Sequence, residues 1–255
     1  MTATPLFSVA GKIVIVTGGT SGIGEMIARG LVAHGAITYI VGRNKQRCAE
    51  VAAELAEQGT CYPLTGDIAT VDGIKQLVAD FSAQQNQLDI LVNNAGSMYE
   101  APLGEFTEVG WDSVMDLNLK SVFFLSEALL PQLRQAASER DPAAIINIGS
   151  VGGLRVGPKE NYSYQAAKAG LHHLTGSLAK RLGGEQITVN AIAPGFFVSK
   201  MTQIPDEMLP EILNAVPRRR VGQADDMVGA VMYLASRAGS FVTGAVIPVA
   251  GGMTL

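Results

Sequence analysis

The chain has 255 residues, of which 47% are hydrophobic and 16% are charged, and its formal net charge at pH 7 is −4. This hydrophobic content can build a large core and excludes a chain that is disordered as a whole. The length suits a single α/β domain covering residues 1–255. The negative charge gives no reason to expect nucleic acid or an anionic membrane as a partner.

The two cysteines, Cys48 and Cys61, have no CxxC partner, and the three histidines have no metal-ligand spacing. We therefore expect neither a disulfide framework nor a metal site. Residues 1–12 contain no basic segment followed by a long apolar run, so no signal peptide is expected. No stretch reaches the ~18 apolar residues that a spanning helix needs. These features are typical of a protein of the reducing cytoplasm.

Short apolar runs alternate with longer amphipathic stretches along the chain. The apolar runs predict seven strands, at residues 12–17, 37–41, 60–64, 88–92, 144–148, 187–192 and 245–249. The amphipathic stretches predict helices at residues 23–34, 45–58, 71–81, 111–133 (broken near Pro131), 164–182 and 224–236. Because the runs are continuous rather than alternating, the strands should be buried on both faces, as in a parallel sheet. The pattern predicts a doubly wound, Rossmann-type α/β fold with helices on both faces of the sheet.

A glycine-rich turn follows the first predicted strand and opens the first predicted helix. It reads Thr17-Gly18-Gly19-Thr20-Ser21-Gly22-Ile23-Gly24. Glycines permit a tight turn and let the backbone approach a pyrophosphate closely, and the free N–H groups of the helix attract the anion. The context predicts a dinucleotide site that includes Gly18, Thr20, Ser21, Gly22, Ile23 and Gly24.

The glycine spacing resembles that of the short-chain dehydrogenase/reductase family, whose turn reads TGxxxGxG rather than GxGxxG. The resemblance covers nearly the whole chain and implies a nicotinamide dinucleotide as cofactor. Further motifs match the family's adenosine-side and nicotinamide-side residues. They are Asp67 and Ile68, then Asn94, Ala95 and Gly96, and finally Pro194, Gly195, Phe197 and Ser199.

The end of the second predicted strand indicates which nicotinamide nucleotide is preferred. An acidic residue there would bond the ribose hydroxyls of NAD, but this chain has Gly42, followed by Arg43 and Asn44. A guanidinium suits phosphate recognition, so the pattern favours NADP(H) and leaves NAD(H) possible. One departure from NADP-preferring members is Ser21, where many of them carry a basic residue.

Tyr164 and Lys168 are separated by one helical turn, so their side chains share a helix face. An ammonium beside a phenol favours the phenolate, and we expect it to lower the tyrosine's pKa. Tyr162 is a competing tyrosine, but its offset of six residues from Lys168 suits one helix face less well.

Two other polar residues complete the resemblance to the family's tetrad. Ser150 stands at the end of the fifth predicted strand, and Asn118 lies inside a predicted helix, where asparagine is disfavoured. The resemblance implies that Tyr164 is the general acid in reduction and that Lys168 lowers its pKa and holds the nicotinamide ribose. It also implies that Ser150 orients the carbonyl and that Asn118 orders a water in the proton relay.

The substrate end of the chain is the least informative part of the sequence. Residues 197–217 correspond to the family's variable substrate lid, and their apolar side chains favour an acyl chain or a hydrophobic ketone. Within the family the chain looks most like NADPH-dependent β-ketoacyl reductases of the rhamnolipid-pathway type, through residues 129–134, 145–152 and 192–202.

Glu185 stands where carrier-protein reductases tend to have a basic residue. The run 218–220 is all arginine, which more often forms a solvated, salt-bridged surface than a docking site for an acidic partner.

Several readings remain open on this scaffold. The substrate could be carried by a protein, by coenzyme A or by neither, and an alcohol, sugar or steroid dehydrogenase is an alternative. A non-catalytic nucleotide-binding scaffold is a remote alternative, because both Tyr164 and Lys168 are present. The resemblance also implies a homotetramer, assembled through the two long helices and the last strand.

Overall fold

The computed structural model describes residues 6–197 and 209–255. Its strands are β1 Ile13–Thr17, β2 Ile37–Gly42, β3 Thr60–Thr65, β4 Ile90–Asn93, β5 Ala143–Ile148, β6 Ile187–Pro194 and β7 Val246–Val249. Its α-helices are α1 Gly22–Ala33, α2 Lys45–Ala56, α3 Val71–Ser82, α4 Glu108–Met115, α5 Ser121–Ala128, α6 Leu130–Ala136, α7 Tyr162–Leu182, α8 Leu209–Ala215 and α9 Ala224–Ala235. None of the described helices is both long enough and apolar enough to cross a bilayer.

The strands form one parallel sheet in the order β3-β2-β1-β4-β5-β6-β7. The chain builds outward from β1 to β3 on one side and then crosses to β4 on the other side, so the strand order reverses beside β1. In open α/β sheets, ligands bind beyond the carboxyl ends of the strands at such a reversal. The predicted doubly wound fold is confirmed.

Helices cover both faces of the sheet, which explains why the strand sequences are apolar without alternation. Successive side chains of a strand point to opposite faces. In β1, Val14 and Val16 join a buried cluster with residues of α1, α2 and α9. Ile13 and Ile15 join a second cluster with residues of α3, α5, α6 and α7 on the opposite face. Both sets of β1 residues are therefore removed from water.

The region predicted as one long helix at 111–133 is built from four shorter pieces. It begins earlier, at α4, where the Thr107 side chain caps the helix by accepting a hydrogen bond from the Gly110 N–H at 3.1 Å. A π-helical turn, Asp116–Lys120, then separates α4 from α5. The predicted break is present, because Leu129 ends α5 and Pro131 stands in the first turn of α6, where a missing N–H costs little.

The predicted lid, residues 197–217, lies only partly within the described residues. Phe197 forms an isolated parallel bridge with Gly222, and α8 occupies Leu209–Ala215. Pro210 stands in the first turn of that helix, where a missing N–H costs little. Ser199, predicted to bind the nicotinamide carboxamide, lies outside the described residues.

Candidate functional site

The glycine-rich turn joins the carboxyl end of β1 to α1. Gly18 and Gly22 have φ angles of +65° and +56°, a region that residues with a β-carbon rarely adopt. Ser21 is the N-cap of α1, but its side chain makes no capping hydrogen bond. The N–H groups at the start of α1 are therefore not satisfied by a side-chain cap and suit an anionic ligand.

Close packing explains the third glycine of the motif. A β-carbon at Gly24 would overlap the carbonyl oxygen of Gly18 and the side-chain amide of Asn94. The Asn94 side chain donates to the Thr17 carbonyl at 2.9 Å, and the backbone N–H groups of Asn94 and Ala95 donate to the Thr17 hydroxyl at 2.9 and 3.0 Å. The Asn-Asn-Ala-Gly segment after β4 thus fixes the start of the glycine turn.

Asn93, the residue before Asn94, links β4 to the neighbouring strand and to a helix beneath the site. Its side chain donates to Asn147 of β5 at 2.9 Å and to Ser126 of α5 at 3.2 Å. Asn147 in turn donates to Thr175 of α7 at 3.0 Å. These groups are buried, so each bond avoids an unsatisfied polar atom in the core.

A cleft of about 330 Å³ lies above the carboxyl ends of the strands. Most of the residues predicted for the cofactor and for catalysis line it, namely Gly18, Thr20, Ser21, Gly22, Ile23, Arg43, Asp67, Ile68, Asn94, Ala95, Gly96, Asn118, Ser150, Tyr164, Lys168, Pro194, Gly195 and Phe197. Two predicted residues, Gly24 and Asn44, do not line it.

Six lining residues were not among those predicted from the sequence, namely Val41, Gly42, Gly66, Leu117, Ile148 and Gly149. Five of them stand at or just after a strand end, which is the signal that could have identified them.

The end of β2 has a glycine where an NAD-binding member would have an acid, and the structure gives a local reason. A β-carbon at Gly42 would lie 2.9 Å from the side-chain methyl of Thr20 in the glycine turn. The exposed Arg43 follows at the rim of the cleft. Asn44 also caps α2, because its side-chain oxygen accepts from the Arg47 N–H at 2.9 Å.

Tyr164 and Lys168 of α7 lie beside Ser150, which follows β5. Lys168 is only 4% exposed, and its ammonium donates to the Ile148 carbonyl at 2.7 Å. The same nitrogen lies 5.7 Å from the centroid of the Tyr164 ring. The Ser150 hydroxyl oxygen accepts from the Gly152 N–H at 3.0 Å, so the turn after β5 holds it in place.

The pKa shifts of Tyr164 and Lys168 contradict one expectation from the sequence. We expected Lys168 to lower the pKa of Tyr164, but burial raises that pKa above its ordinary value of 10, with the Ser150 hydroxyl acting in the opposite direction. Burial also lowers the pKa of Lys168 from 10.5 to about 8. Desolvation therefore dominates both groups. The expected lowering of the tyrosine's pKa by Lys168 is wrong.

Asn118 lies in the π-helical turn and is completely buried. Its side-chain amide donates to the carbonyls of Ser97 and Val114 at 2.8 and 2.9 Å. Its Oδ1 atom has no hydrogen-bond partner in the described residues, and a β-carbon at Gly96 would lie 2.6 Å from it. A buried acceptor without a partner is a suitable place for a bound water.

Tyr162, the competing tyrosine, does not line the cleft. Its hydroxyl donates to the Glu160 carboxylate at 2.9 Å, and its ring packs edge-on against Phe106. In the part of the chain that the structure describes, no group of three or more His, Cys, Asp and Glu side chains could hold a metal ion.

The chain is similar to known proteins over nearly its whole length. A family model described as enoyl-(acyl carrier protein) reductase matches residues 18–254. The rhamnolipids biosynthesis 3-oxoacyl-(acyl-carrier-protein) reductase of Pseudomonas aeruginosa is 43% identical over 256 residues, which cover 98% of this chain and 99% of that protein.

Two solved structures extend the comparison. The RhlG/NADP active-site complex of Pseudomonas aeruginosa superposes with a TM-score of 0.96 at 42% identity and covers 99% of this chain and 100% of that one. A gluconate 5-dehydrogenase from Burkholderia cenocepacia, in complex with NADP and tartrate, superposes with a TM-score of 0.90 at 31% identity. The match covers 98% of this chain and 97% of that one.

Proposed function

The chain belongs to the short-chain dehydrogenase/reductase family, and from this premise we propose that it uses NADPH to reduce the ketone of a 3-oxoacyl compound or a similarly hydrophobic substrate to an alcohol. The observation that carries the proposal is that Tyr164, Lys168 and Ser150 share one cleft with the glycine turn. That cleft provides both a cradle for the dinucleotide and the groups that handle a proton.

The residues of the cleft fit a dinucleotide, because the glycine turn has no side chains at positions where they would block the pyrophosphate. The pyrophosphate would lie on the start of α1, where Gly18 and Gly22 allow a close backbone approach. Arg43 would bind the 2′-phosphate. We assign the adenosine side to Asp67, Ile68, Asn94, Ala95 and Gly96, and the nicotinamide side to Lys168, Pro194, Gly195, Phe197 and Ser199.

When bound, NADPH supplies the hydride that becomes the carbon-bound hydrogen of the alcohol. The proton comes from the chain. Because burial raises the pKa of Tyr164, its hydroxyl is protonated at neutral pH and can donate to the substrate oxygen as that oxygen gains negative charge. The Ser150 hydroxyl donates to the same oxygen and orients the carbonyl.

Lys168 and Asn118 complete the proton path. At pH 7 Lys168 is below its pKa of about 8, so it is mainly an ammonium that stabilises the phenolate left on Tyr164. The unpartnered Oδ1 of Asn118 can hold a water. Through that water, Lys168 can return a proton from solvent to Tyr164.

The substrate class rests on two observations. The relatives include a reductase named for 3-oxoacyl groups on a carrier protein. In the segment between Ser150 and Tyr164, Leu154 and Val156 are 42% and 90% exposed, which would suit contact with an apolar substrate.

The surface charges give little support for delivery of the acyl group by an acidic carrier protein. Glu185, at the position where a basic residue is typical, accepts ion pairs from Arg134 and Arg181 at 2.6 Å each. The carboxylate neutralises part of the positive surface that would attract an acidic carrier. Of the 218–220 run, Arg220 is paired with Asp226 and Arg219 bonds Asn214. We therefore propose a coenzyme A thioester and a free ketone as candidate substrates on an equal footing with a carrier-bound acyl group.

The decisive test is a substrate panel monitored by NADPH oxidation at 340 nm. It should contain 3-oxoacyl groups on coenzyme A and on acyl carrier protein, together with hydrophobic ketones. Gluconate with NADP tests the alternative suggested by the Burkholderia cenocepacia enzyme. We expect turnover with the 3-oxoacyl compounds or the hydrophobic ketones. Turnover of gluconate alone would reject the proposed substrate class.

We also propose that the enzyme is a cytoplasmic homotetramer. Val109 of α4, Phe241 before β7 and the terminal Leu255 are at least 80% exposed, which suits surfaces that pack against other copies. Both cysteines are free and buried, which suits a reducing compartment. Light scattering after size-exclusion chromatography should give four times the chain mass; a monomer at micromolar concentration would contradict the assembly. Fractionation of the source cells tests the compartment.

A further inference from the structure

His172 is a half-buried titratable group that the proton path above does not use. It stands one turn beyond Lys168 on α7 and two turns beyond Tyr164, so the three side chains share a helix face. Both of its ring nitrogens are shielded from solvent and have no hydrogen-bond partner in the described residues. Burial lowers its pKa, the backbone of Gly153 acts in the opposite direction, and the nearby Lys168 charge again lowers it, so the ring is neutral at neutral pH.

The ring is packed against the two glycines that flank Ser150. A β-carbon at Gly149 would overlap the Nε2 atom of His172 and lie 2.8 Å from its Cδ2 atom. A β-carbon at Gly153 would lie 2.8 Å from the Cε1 atom of the same ring. The imidazole thus occupies the space that side chains at both positions would need.

The same turn rests on the backbone of α7 just ahead of the histidine. A β-carbon at Gly153 would also lie 2.6 Å from the carbonyl carbon of Lys168 and 2.8 Å from the N atom of Ala169. On its other side, the Gly149 N–H donates to the Ile192 carbonyl of β6 at 2.7 Å. The turn that carries Ser150 is therefore held between β6, α7 and the imidazole.

We propose that His172 is a positioning residue that wedges the turn after β5 and thereby aims the Ser150 hydroxyl. This inference rests on the proposed function, in which Ser150 orients the substrate carbonyl. The wedge acts by shape, because neither ring nitrogen bonds a reacting group. Removing it leaves a void beside Gly149 and Gly153 and lets the turn relax into it. Displacing a catalytic group by about 1 Å can reduce the rate about a hundredfold.

The test uses three variants of the full-length enzyme with NADPH and the coenzyme A thioester of 3-oxooctanoic acid. His172→Ala removes the wedge. His172→Leu restores an apolar side chain of similar volume without the nitrogens. His173→Ala is the matched control, because His173 is the exposed neighbour on the same helix. Each variant is measured for kcat, KM, the NADPH dissociation constant from cofactor fluorescence, and the thermal midpoint.

We expect His172→Ala to lower kcat between about tenfold and about a hundredfold while the NADPH dissociation constant changes less than about twofold. We expect His172→Leu to keep kcat within about threefold of the unsubstituted enzyme, because a volume-conserving change preserves the packing. His173→Ala should leave kcat and KM unchanged. An equal loss of kcat in the Ala and Leu variants would overturn the wedge, because the nitrogens would then carry the effect.

A double-mutant cycle with Ser150→Ala separates positioning from a general structural role. If His172 acts through Ser150, His172→Ala should change kcat less than about twofold in the Ser150→Ala background. A loss of the same size in both backgrounds would overturn the inference. Activity that His172→Ala leaves unchanged would overturn the inference alone. If the thioester is not turned over, the same variants are assayed with the best substrate from the panel. Absence of turnover of every compound in the panel by the unsubstituted enzyme would overturn the proposed function and this inference with it.

Discussion

Replacing Lys168 with methionine should make the nucleotide-free protein more stable at neutral pH while abolishing its activity. The ammonium is fully desolvated inside the fold, and its pKa falls from 10.5 to about 8. In the unfolded chain the same group is solvated and keeps the ordinary value. At pH 7 the difference destabilises the folded state by about 3 kcal/mol, at ~1.4 kcal/mol for each unit of pKa.

Methionine has a similar length and helix propensity, so its main cost is the lost hydrogen bond to the Ile148 carbonyl. That loss is about 1 kcal/mol. The variant should therefore be about 2 kcal/mol more stable than the unsubstituted protein at pH 7.

The pH dependence gives the sharper signature. Because the folded pKa lies below the unfolded one, the unfolded state binds an extra proton between pH 8 and pH 10.5, and the stability of the unsubstituted protein rises with pH across that window. The methionine variant has no such group. The difference in stability should therefore shrink above pH 8 and vanish near pH 10.

Urea unfolding at matched protein concentration and at pH 7, 8, 9 and 10 measures this difference. Lys180→Met, on the exposed face of the same helix, is the control and should change stability by less than about 0.5 kcal/mol. A Lys168→Met variant that is less stable at pH 7, by an amount that does not vary with pH, would refute the reasoning.

Two further predictions concern the nucleotide. Arg43→Ala should raise the KM for NADPH about tenfold and leave the KM for NADH nearly unchanged, because one charge-assisted contact to the 2′-phosphate is lost. If the unsubstituted enzyme used both nucleotides with equal efficiency, the assignment of Arg43 would be contradicted. Gly24→Ala should weaken NADPH binding at least about tenfold, because its β-carbon would overlap the Gly18 carbonyl. Gly229→Ala in α9, where nothing lies within 4 Å of the added carbon, is its control and should stabilise the protein slightly.

The features that the sequence predicted well are those set by local physics. The seven strands and the glycine turn follow from apolar runs and from backbone angles that glycine adopts freely, as at Gly18 and Gly22. Tyr164 and Lys168 were paired by helix period alone. The family resemblance then added Ser150 and Asn118, which no local rule connects to them.

The features that the sequence could not provide depend on burial and on contacts between distant segments. The π-helical turn around Asn118 interrupts a pattern that reads as continuous helix. The raised pKa of Tyr164 depends on desolvation, which one helix cannot reveal. The contact of His172 with the turn at Gly149 and Gly153 joins segments that are distant in the chain, so no local pattern predicts it.

The central claim is that Tyr164 gives the proton to the substrate oxygen, and Tyr164→Phe tests it most directly. The variant keeps the ring and its packing and removes only the hydroxyl. With the best substrate from the panel, kcat should fall at least about a hundredfold, while the NADPH dissociation constant stays within about twofold of the original. Turnover within a few-fold of the unsubstituted enzyme, with NADPH bound as tightly as before, would contradict the account.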